Sequence, residues 1–195
     1  MSGYSFPTLP DYLEPGLRLV FVGINPSMFS VERGHYFART TNRFWPAFSR
    51  SRLSARMRQA LGRDALGPED DAILPRFGVG FTDVVKVPSR DVAALAPSDY
   101  KEWAPKLLAR LEKSRPAVAC FHGITGYRAF ARYGLCLEGN DFDLGPQPLT
   151  VGEIRLYLVP NPSPANAHFR LQDQIDWYDR LADYLDGIAY ANAAT

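Results

Sequence analysis

A three-layer α/β domain with a mostly parallel sheet is the fold this sequence predicts, and three observations carry the prediction. Short apolar runs rich in β-branched or aromatic residues recur along the chain, as in strands covered on both faces. Each of these runs ends abruptly in a polar turn. Segments with helical periodicity separate them, and that alternation is the pattern of a sheet sandwiched between helices.

The elements follow in order. Met1 to Pro15 holds three prolines and little periodicity, so it reads as an irregular arm. The first strand runs from about Leu17 to Ile24, with the continuous apolar core Leu19-Val20-Phe21-Val22. Gly23 lets a backbone or ligand approach, and Pro26 ends the ladder. Met28 to Thr41 shows no clear period and is expected to be a long functional loop. Asn42 can cap a helix from Arg43, whose apolar side is Phe44, Trp45 and Phe48. A second helix spans about Ser51 to Leu61 and stops at Gly62.

Gly67 to Pro75 reads as turns, and Val79 to Val85 as a short strand before a proline-bearing loop through Pro97. Ser98 is expected to cap a helix to Ser114, kinked or restarted at Pro105. Ala117 to Phe121 is another strand, closed by His122-Gly123, and Gly126 to Arg132 a short helix. Gly139 to Pro148 reads as a Gly/Pro/Asp loop. Ile154 to Val159 is a strand ending in Asn161-Pro162-Ser163-Pro164, and Leu171 to Leu185 a final amphipathic helix with Ile175, Tyr178, Leu181 and Leu185 on one side. With no repeat or linker, residues 1–195 read as one domain.

Composition narrows the function classes. At 195 residues with 46% hydrophobic content the chain can bury a real core, yet no segment is apolar enough to span a bilayer. Cys120 and Cys136 make neither a disulfide framework nor a C-x-x-C spacing, and His35, His122 and His168 are scattered. The expectation is a reduced, cytoplasmic, nucleoid-associated monomer without metal or cofactor and without a membrane partner. The net charge of +1 hides an asymmetry. From Arg33 to Arg63 the chain carries eight arginines (33, 39, 43, 50, 52, 56, 58 and 63) and no Asp or Glu, whereas Asp173, Asp176, Asp179, Asp183 and Asp186 make the C-terminal segment acidic. A guanidinium-rich stripe is the footprint of a phosphate-backbone binder, or else a solvated helix face.

Four strand ends are candidate walls of one crevice: Asn25, Asp83, His122-Gly123 and Asn161-Pro162-Ser163. None carries G-x-G-x-x-G or a Walker pattern, which leaves nucleotide-cofactor binding unsupported, and no G-x-S-x-G elbow supports an acyl hydrolase.

Three clusters at these places carry a resemblance. Gly23-Ile24-Asn25-Pro26, then Gly34-His35-Tyr36-Phe37-Ala38, then Asn42-Arg43-Phe44-Trp45 resemble the first motif region of the mismatch-specific uracil-DNA glycosylase and thymine-DNA glycosylase family. Gly80-Phe81-Thr82-Asp83-Val84-Val85 is similar to its middle segment, and Asn161-Pro162-Ser163 with the helix from Leu171 to its second motif. The match runs from about Leu17 to Leu185. It implies a four-stranded parallel sheet with helices on both sides, and hydrolysis of the bond between a damaged or mispaired base and deoxyribose. The implied partner is double-stranded DNA containing uracil or a mispaired pyrimidine, above all uracil opposite guanine.

The resemblance also assigns roles. Phe37 would stack on the flipped pyrimidine, backbone groups near Ile24 and Phe37 would read its edge, and Asn25 would position the attacking water. An amide orients water but is a poor proton acceptor, so such a site favours easy leaving groups such as uracil. Ser30 would help hold the pocket. Asn161 and Ser163 would contact the phosphate backbone around the flipped nucleotide, with Asn166 and Arg170 as further contacts. Arg43 could reach phosphate or pin its loop.

Three positions depart from the family pattern. Ser27 stands where a Gly usually follows the Pro. Ala165 is too small to wedge into a duplex, which leaves flipping to Asn166 or His168, or else less assisted. Asp83 stands where relatives carry a neutral or basic residue, and it is expected to supplement or replace Asn25 as water activator. No lysine occupies a motif position, which argues against Schiff-base lyase chemistry. Two other classes fit more loosely: a mismatch-binding module with feeble catalysis, and a nucleoside hydrolase. The arginine stripe speaks against the hydrolase, because free nucleosides have no phosphate backbone to hold.

Overall fold

The computed structural model describes residues 4–139 and 141–193. Residues 1–3 of the expected arm and Asn140 of the expected loop lie outside the described residues. Five strands form one sheet: β1 (Leu19–Gly23), β2 (Val79–Asp83), β3 (Val118–His122), β4 (Gly145–Val151) and β5 (Ile154–Val159), in the order β2-β1-β3-β5-β4. The pairs β1–β2, β1–β3 and β3–β5 are parallel, and β4 joins β5 antiparallel. Among the described residues six α-helices flank it: α1 (Met28–Arg33), α2 (Phe44–Arg50), α3 (Ala55–Leu61), α4 (Pro97–Ser114), α5 (Ile124–Gly134) and α6 (Leu171–Ala193).

Side-chain alternation explains the three layers. Leu19 and Phe21 of β1, Phe81 of β2, Cys120 of β3 and Tyr157 and Val159 of β5 join Phe44, Phe48, Tyr178 and Leu181 from α2 and α6. The intervening residues Val20, Val22, Phe121, Leu156 and Leu158 join Trp103 and Leu107 of α4 and Tyr127 and Phe130 of α5. A strand buried on both faces must be apolar at every position, and all five residues of β1 are buried.

The expected four-stranded sheet is therefore corrected to five strands, four parallel and one antiparallel edge strand. The fifth was hidden because β4 is the sequence Gly-Pro-Gln-Pro-Leu-Thr-Val, where Pro146 and Pro148 read as loop residues. An edge position tolerates proline, whose missing N–H can face away from the partner strand, and the register shifts between Pro146 and Thr150. Residues 28–41 are likewise not loop throughout. Ser27, the residue standing in place of Gly, caps α1 by accepting from Ser30 N at 3.1 Å, and Gly34 at φ +76° ends that six-residue helix.

Helix α4 starts at Pro97 rather than after Ser98, with Asp99 Oδ2 accepting from Ala96 N at 2.8 Å. It runs through Pro105 without interruption. Lys101, whose carbonyl loses its helical donor there, is exposed, so water can replace the missing bond. The N-terminal arm is part of the fold. Tyr12 exchanges two backbone hydrogen bonds with Phe81 on the outer side of β2, and Leu9 is buried.

Candidate active site

The carboxyl ends of β1, β2, β3 and β5 converge where α2 and the segment before it cross the sheet. In β1, β2 and β3 the same alternation that aims Phe21, Phe81 and Cys120 at α2 and α6 places Gly23, Asp83 and His122 on that face at the strand ends. Gly23 is paired with Asp83, and a Cβ on Gly23 would collide with Asp83 Oδ1 and lie 3.9 Å from Phe37 Cζ. The carboxylate and the ring tip thus meet above a backbone that only glycine leaves open. At the neighbouring strand ends, Gly123 has φ +91° and a Cβ there would be 2.9 Å from Asn161 Cβ.

Asn25, two residues beyond Gly23, is fixed by its amide nitrogen. Nδ2 donates to Val87 O at 3.0 Å and Ser89 Oγ at 2.8 Å, and makes a longer contact of 3.3 Å to Pro26 O. Val87 O can only accept, and Ser89 Oγ spends its proton on Asp91 O at 2.6 Å, so this side of the amide must be the NH2. Oδ1 is left as the free end, an acceptor able to orient a water.

Phe37 occupies a left-handed backbone conformation, φ +53°, which a bulky residue holds only when its surroundings impose it. They do so from several directions. Asp71 Oδ2 accepts Tyr36 N at 2.8 Å, Trp45 Nε1 donates to Tyr36 O at 2.8 Å, and Ser30 Oγ takes Ala38 N at 3.4 Å. Phe44 stacks beneath the ring, centroids 4.3 Å apart and planes 18° apart, and His122 meets it edge-on at 5.3 Å. Ser30 is thus bonded to the segment bearing Phe37, and it also accepts from Ser27 Oγ at 3.0 Å.

Asp83 is buried, and its Oδ2 has no hydrogen-bond partner. Beneath it lies a charge cluster that sequence reasoning missed. Lys86 is 0% exposed, with Nζ 3.0 Å from Asp11 Oδ1, 3.1 Å from Tyr36 Oη and 3.6 Å from Asp83 Oδ2. Arg110 donates to Asp83 O at 2.8 Å and Tyr4 Oη at 2.7 Å, and lies 3.6 Å from Asp11 Oδ2. Two carboxylates and two cations balance. Burial raises the Asp83 carboxyl to about 6, against the lowering pull of Lys86 and Arg110 and with the Asp11 charge adding to the rise. Burial also opposes ionisation of Asp11, but Lys86 and Arg110 outweigh it and hold Asp11 below the usual carboxylate range. One signal did exist: Lys86 interrupts the apolar run Val84-Val85-Lys86-Val87. Asp11, in the proline-rich arm, had none.

His122 is neutral, with burial pushing it down to about 3. Its Nε2 is 2.9 Å from Tyr178 Oη, and its Nδ1 has no partner. It is a floor residue among aromatic rings.

The loop between β5 and α6 folds on its own polar groups. Asn161 Oδ1 accepts Ser163 N at 3.0 Å, Asn166 Nδ2 donates to Asn161 O at 3.0 Å, and Ser163 Oγ accepts Ala165 N at 3.3 Å. Asn166 is therefore committed to shaping the loop, whereas Ser163 keeps its O–H. Arg170 is exposed, and its backbone N–H is taken by Asp173 Oδ2 at 2.6 Å. Arg43, for which both phosphate contact and loop pinning were open, pins the loop. Its guanidinium donates to the carbonyls of Pro162, Ser163, Asn166 and Phe169.

These features sit on a chain whose residues 10–185 match the family model of the uracil DNA glycosylase superfamily. The chain belongs to that superfamily. The fold agrees: a solution NMR structure of a candidate uracil DNA glycosylase from Methanosarcina acetivorans superposes with a TM-score of 0.54 at 19% identity, over 88% of this chain and 92% of that one. Within the superfamily frame, the arginine stripe proves less uniform than its sequence suggests. Arg52 is paired with Asp183 at 2.8 Å and with Asp179, and Arg63 with Asp70. Arg33 and Arg39 flank the Phe29 ring at 5.3 and 5.2 Å, close in sequence to the Phe37 segment. Arg39 and Arg50 line a cleft of about 510 Å³ that Phe37 and Trp45 share. Among the described residues no group of three or more His, Cys, Asp or Glu is arranged to hold a metal ion.

Proposed function

We propose that this protein is a monofunctional DNA glycosylase that flips uracil out of duplex DNA, preferentially opposite guanine, and hydrolyses its N-glycosidic bond. The observation that supports this best is the slot above Gly23, where an aromatic platform held in a strained conformation meets a buried carboxylate, two residues before an amide with a free oxygen. A flipped pyrimidine stacks on Phe37, and backbone groups near Ile24 and Phe37 read its edge. Asn25 Oδ1 accepts a hydrogen bond from a water and points its lone pair at the sugar carbon. As the glycosidic bond breaks, the sugar acquires cationic character and the base leaves as an anion. The water oxygen bonds to the carbon and its proton passes to solvent or to Asp83.

Asp83 is ionised above about pH 6, and its carboxylate offsets the positive charge on the sugar. Ser163, Asn161 and Arg170 face the DNA backbone around the flipped nucleotide. The test is single-turnover cleavage of duplexes containing uracil opposite guanine, uracil opposite adenine and thymine opposite guanine, beside single-stranded uracil, read by alkaline strand scission. Abasic-site formation fastest on the uracil–guanine pair is the expected result. Tight binding of that pair without product would point instead to a mismatch-binding module, and release of base from free nucleosides to a nucleoside hydrolase.

A further inference from the structure

We infer that Arg43 is a positioning residue: it gathers the carbonyls of the loop between β5 and α6 from behind, so that the Ala167 N–H and the Ser163 O–H face the DNA backbone. The inference rests on the glycosylase reading for the identity of the anion and on geometry for the rest. Residues 160–170 lie outside any helix or strand, and α6 begins only at Leu171. Four of their carbonyls, from Pro162, Ser163, Asn166 and Phe169, accept from one guanidinium, and Pro162 O also accepts Arg43 N at 3.0 Å. An Arg side chain has five N–H donors, and four are spent here. At most one remains for a phosphate.

The peptide group sets the consequence. Its C=O and N–H point in opposite directions, so a peptide whose oxygen turns toward Arg43 turns its N–H away. Asn166 O is 2.8 Å from Arg43 Nη2, so the N–H of exposed Ala167 is directed outward. Ser163, whose Oγ only accepts within the loop, keeps an O–H to donate. A half-buried cation behind a loop also neutralises the negative ends of its peptide dipoles and leaves the outer surface relatively positive, as anion-binding loops require. The neighbours of Arg43, Asn42 and Phe44, link this loop to the base slot. Asn42 Oδ1 caps Phe44 N at 2.9 Å, and Phe44 is the ring stacked beneath Phe37.

The test separates a clamp from a phosphate contact. Arg43→Met and Arg43→Lys are compared with wild type and with Arg170→Gln for binding to an abasic-site duplex across a salt series. Amide hydrogen exchange of residues 161–170 is followed without DNA. A clamp predicts faster exchange confined to the loop in Arg43→Met, at least about tenfold weaker binding, and an unchanged slope of log K against log salt, because neutral N–H contacts release no counterions. A direct phosphate contact predicts unaltered exchange and a slope smaller by about 1, the behaviour expected of Arg170→Gln. That result, or full retention of affinity in Arg43→Met, overturns the proposal. Loosened exchange in Arg43→Met together with a wild type that binds no duplex would leave the clamp standing and refute the glycosylase reading instead.

Discussion

Replacing Asp83 by Asn should make the protein more stable and less active at once. Burial pushes the carboxyl up to about 6 from its ordinary value of 3.8, a rise of about 2 pH units. At ~1.4 kcal/mol per unit, holding Asp83 ionised costs about 3 kcal/mol. Because the folded value is the higher one, the stability tied to this group is fully present below about pH 4 and lost as pH rises through 6. Asn cannot ionise, so Asp83→Asn escapes the loss. Lys86 keeps Asp11 Oδ1 at 3.0 Å as its partner. At pH 7.5 the variant gains up to about 3 kcal/mol, which for a domain of this size is a rise in Tm of about 6–12 °C. At pH 4 the two proteins unfold together.

Thermal unfolding at both pH values checks the stability half, and single-turnover excision from pH 5 to 8 checks the activity half. Wild-type excision should rise through about pH 6 and level off, and the variant should be slow and flat. A variant less stable than wild type at pH 7.5 would show that Lys86 outweighs burial, contrary to the reasoning. A wild-type rate that falls through pH 6 would place the protonated carboxyl against the departing base, as a donor, in place of the ionised carboxylate against the sugar.

Asn25→Ala should lower single-turnover excision of uracil by about a hundredfold while costing only about 1–2 kcal/mol of stability, since besides the water's acceptor it removes the part-exposed hydrogen bonds to Val87 O and Ser89 Oγ and no core contact. Gly23→Ala should fold yet excise slowly, because the added methyl displaces Asp83 Oδ1; near wild-type kinetics would show that the carboxylate's position does not matter. Lys86→Met should cost about 3–5 kcal/mol at neutral pH by leaving Asp11 and Asp83 facing each other without their shared cation, and urea unfolding at pH 7.5 against pH 5 should show the deficit narrowing in acid.

Much of this molecule was legible in its sequence because period and punctuation agreed. The β5 strand lies at Ile154–Val159 as expected, since an apolar run bounded by Gly152 and Pro160 leaves little freedom. Where they disagreed, punctuation misled. Pro146 and Pro148 masked an edge strand, and Pro105 suggested a break that the helix does not make, the lost bond falling at exposed Lys101. The six residues of α1 were too few to show a period, although Ser27 and Gly34 were its two caps. As candidates for the site, Asn25, Phe37 and Asp83 stood out because each stands beside a strand end or inside a dense motif. The cluster beneath them was not. Asp11, Lys86 and Arg110 are 75 and 24 residues apart along the chain, and only tertiary folding makes them one group.

The two margins of the sheet have a consequence for how copies of this chain meet. One margin is occupied by the N-terminal arm through Tyr12, and the other carries Pro146 and Pro148, which offer no N–H to a newcomer. An incoming strand would find one side taken and the other short of donors. Edge-to-edge growth, the common route from a parallel sheet to a dimer or a fibril, is thereby discouraged. That keeps the molecule's exposed recognition surface on its loops, at the ends of its strands.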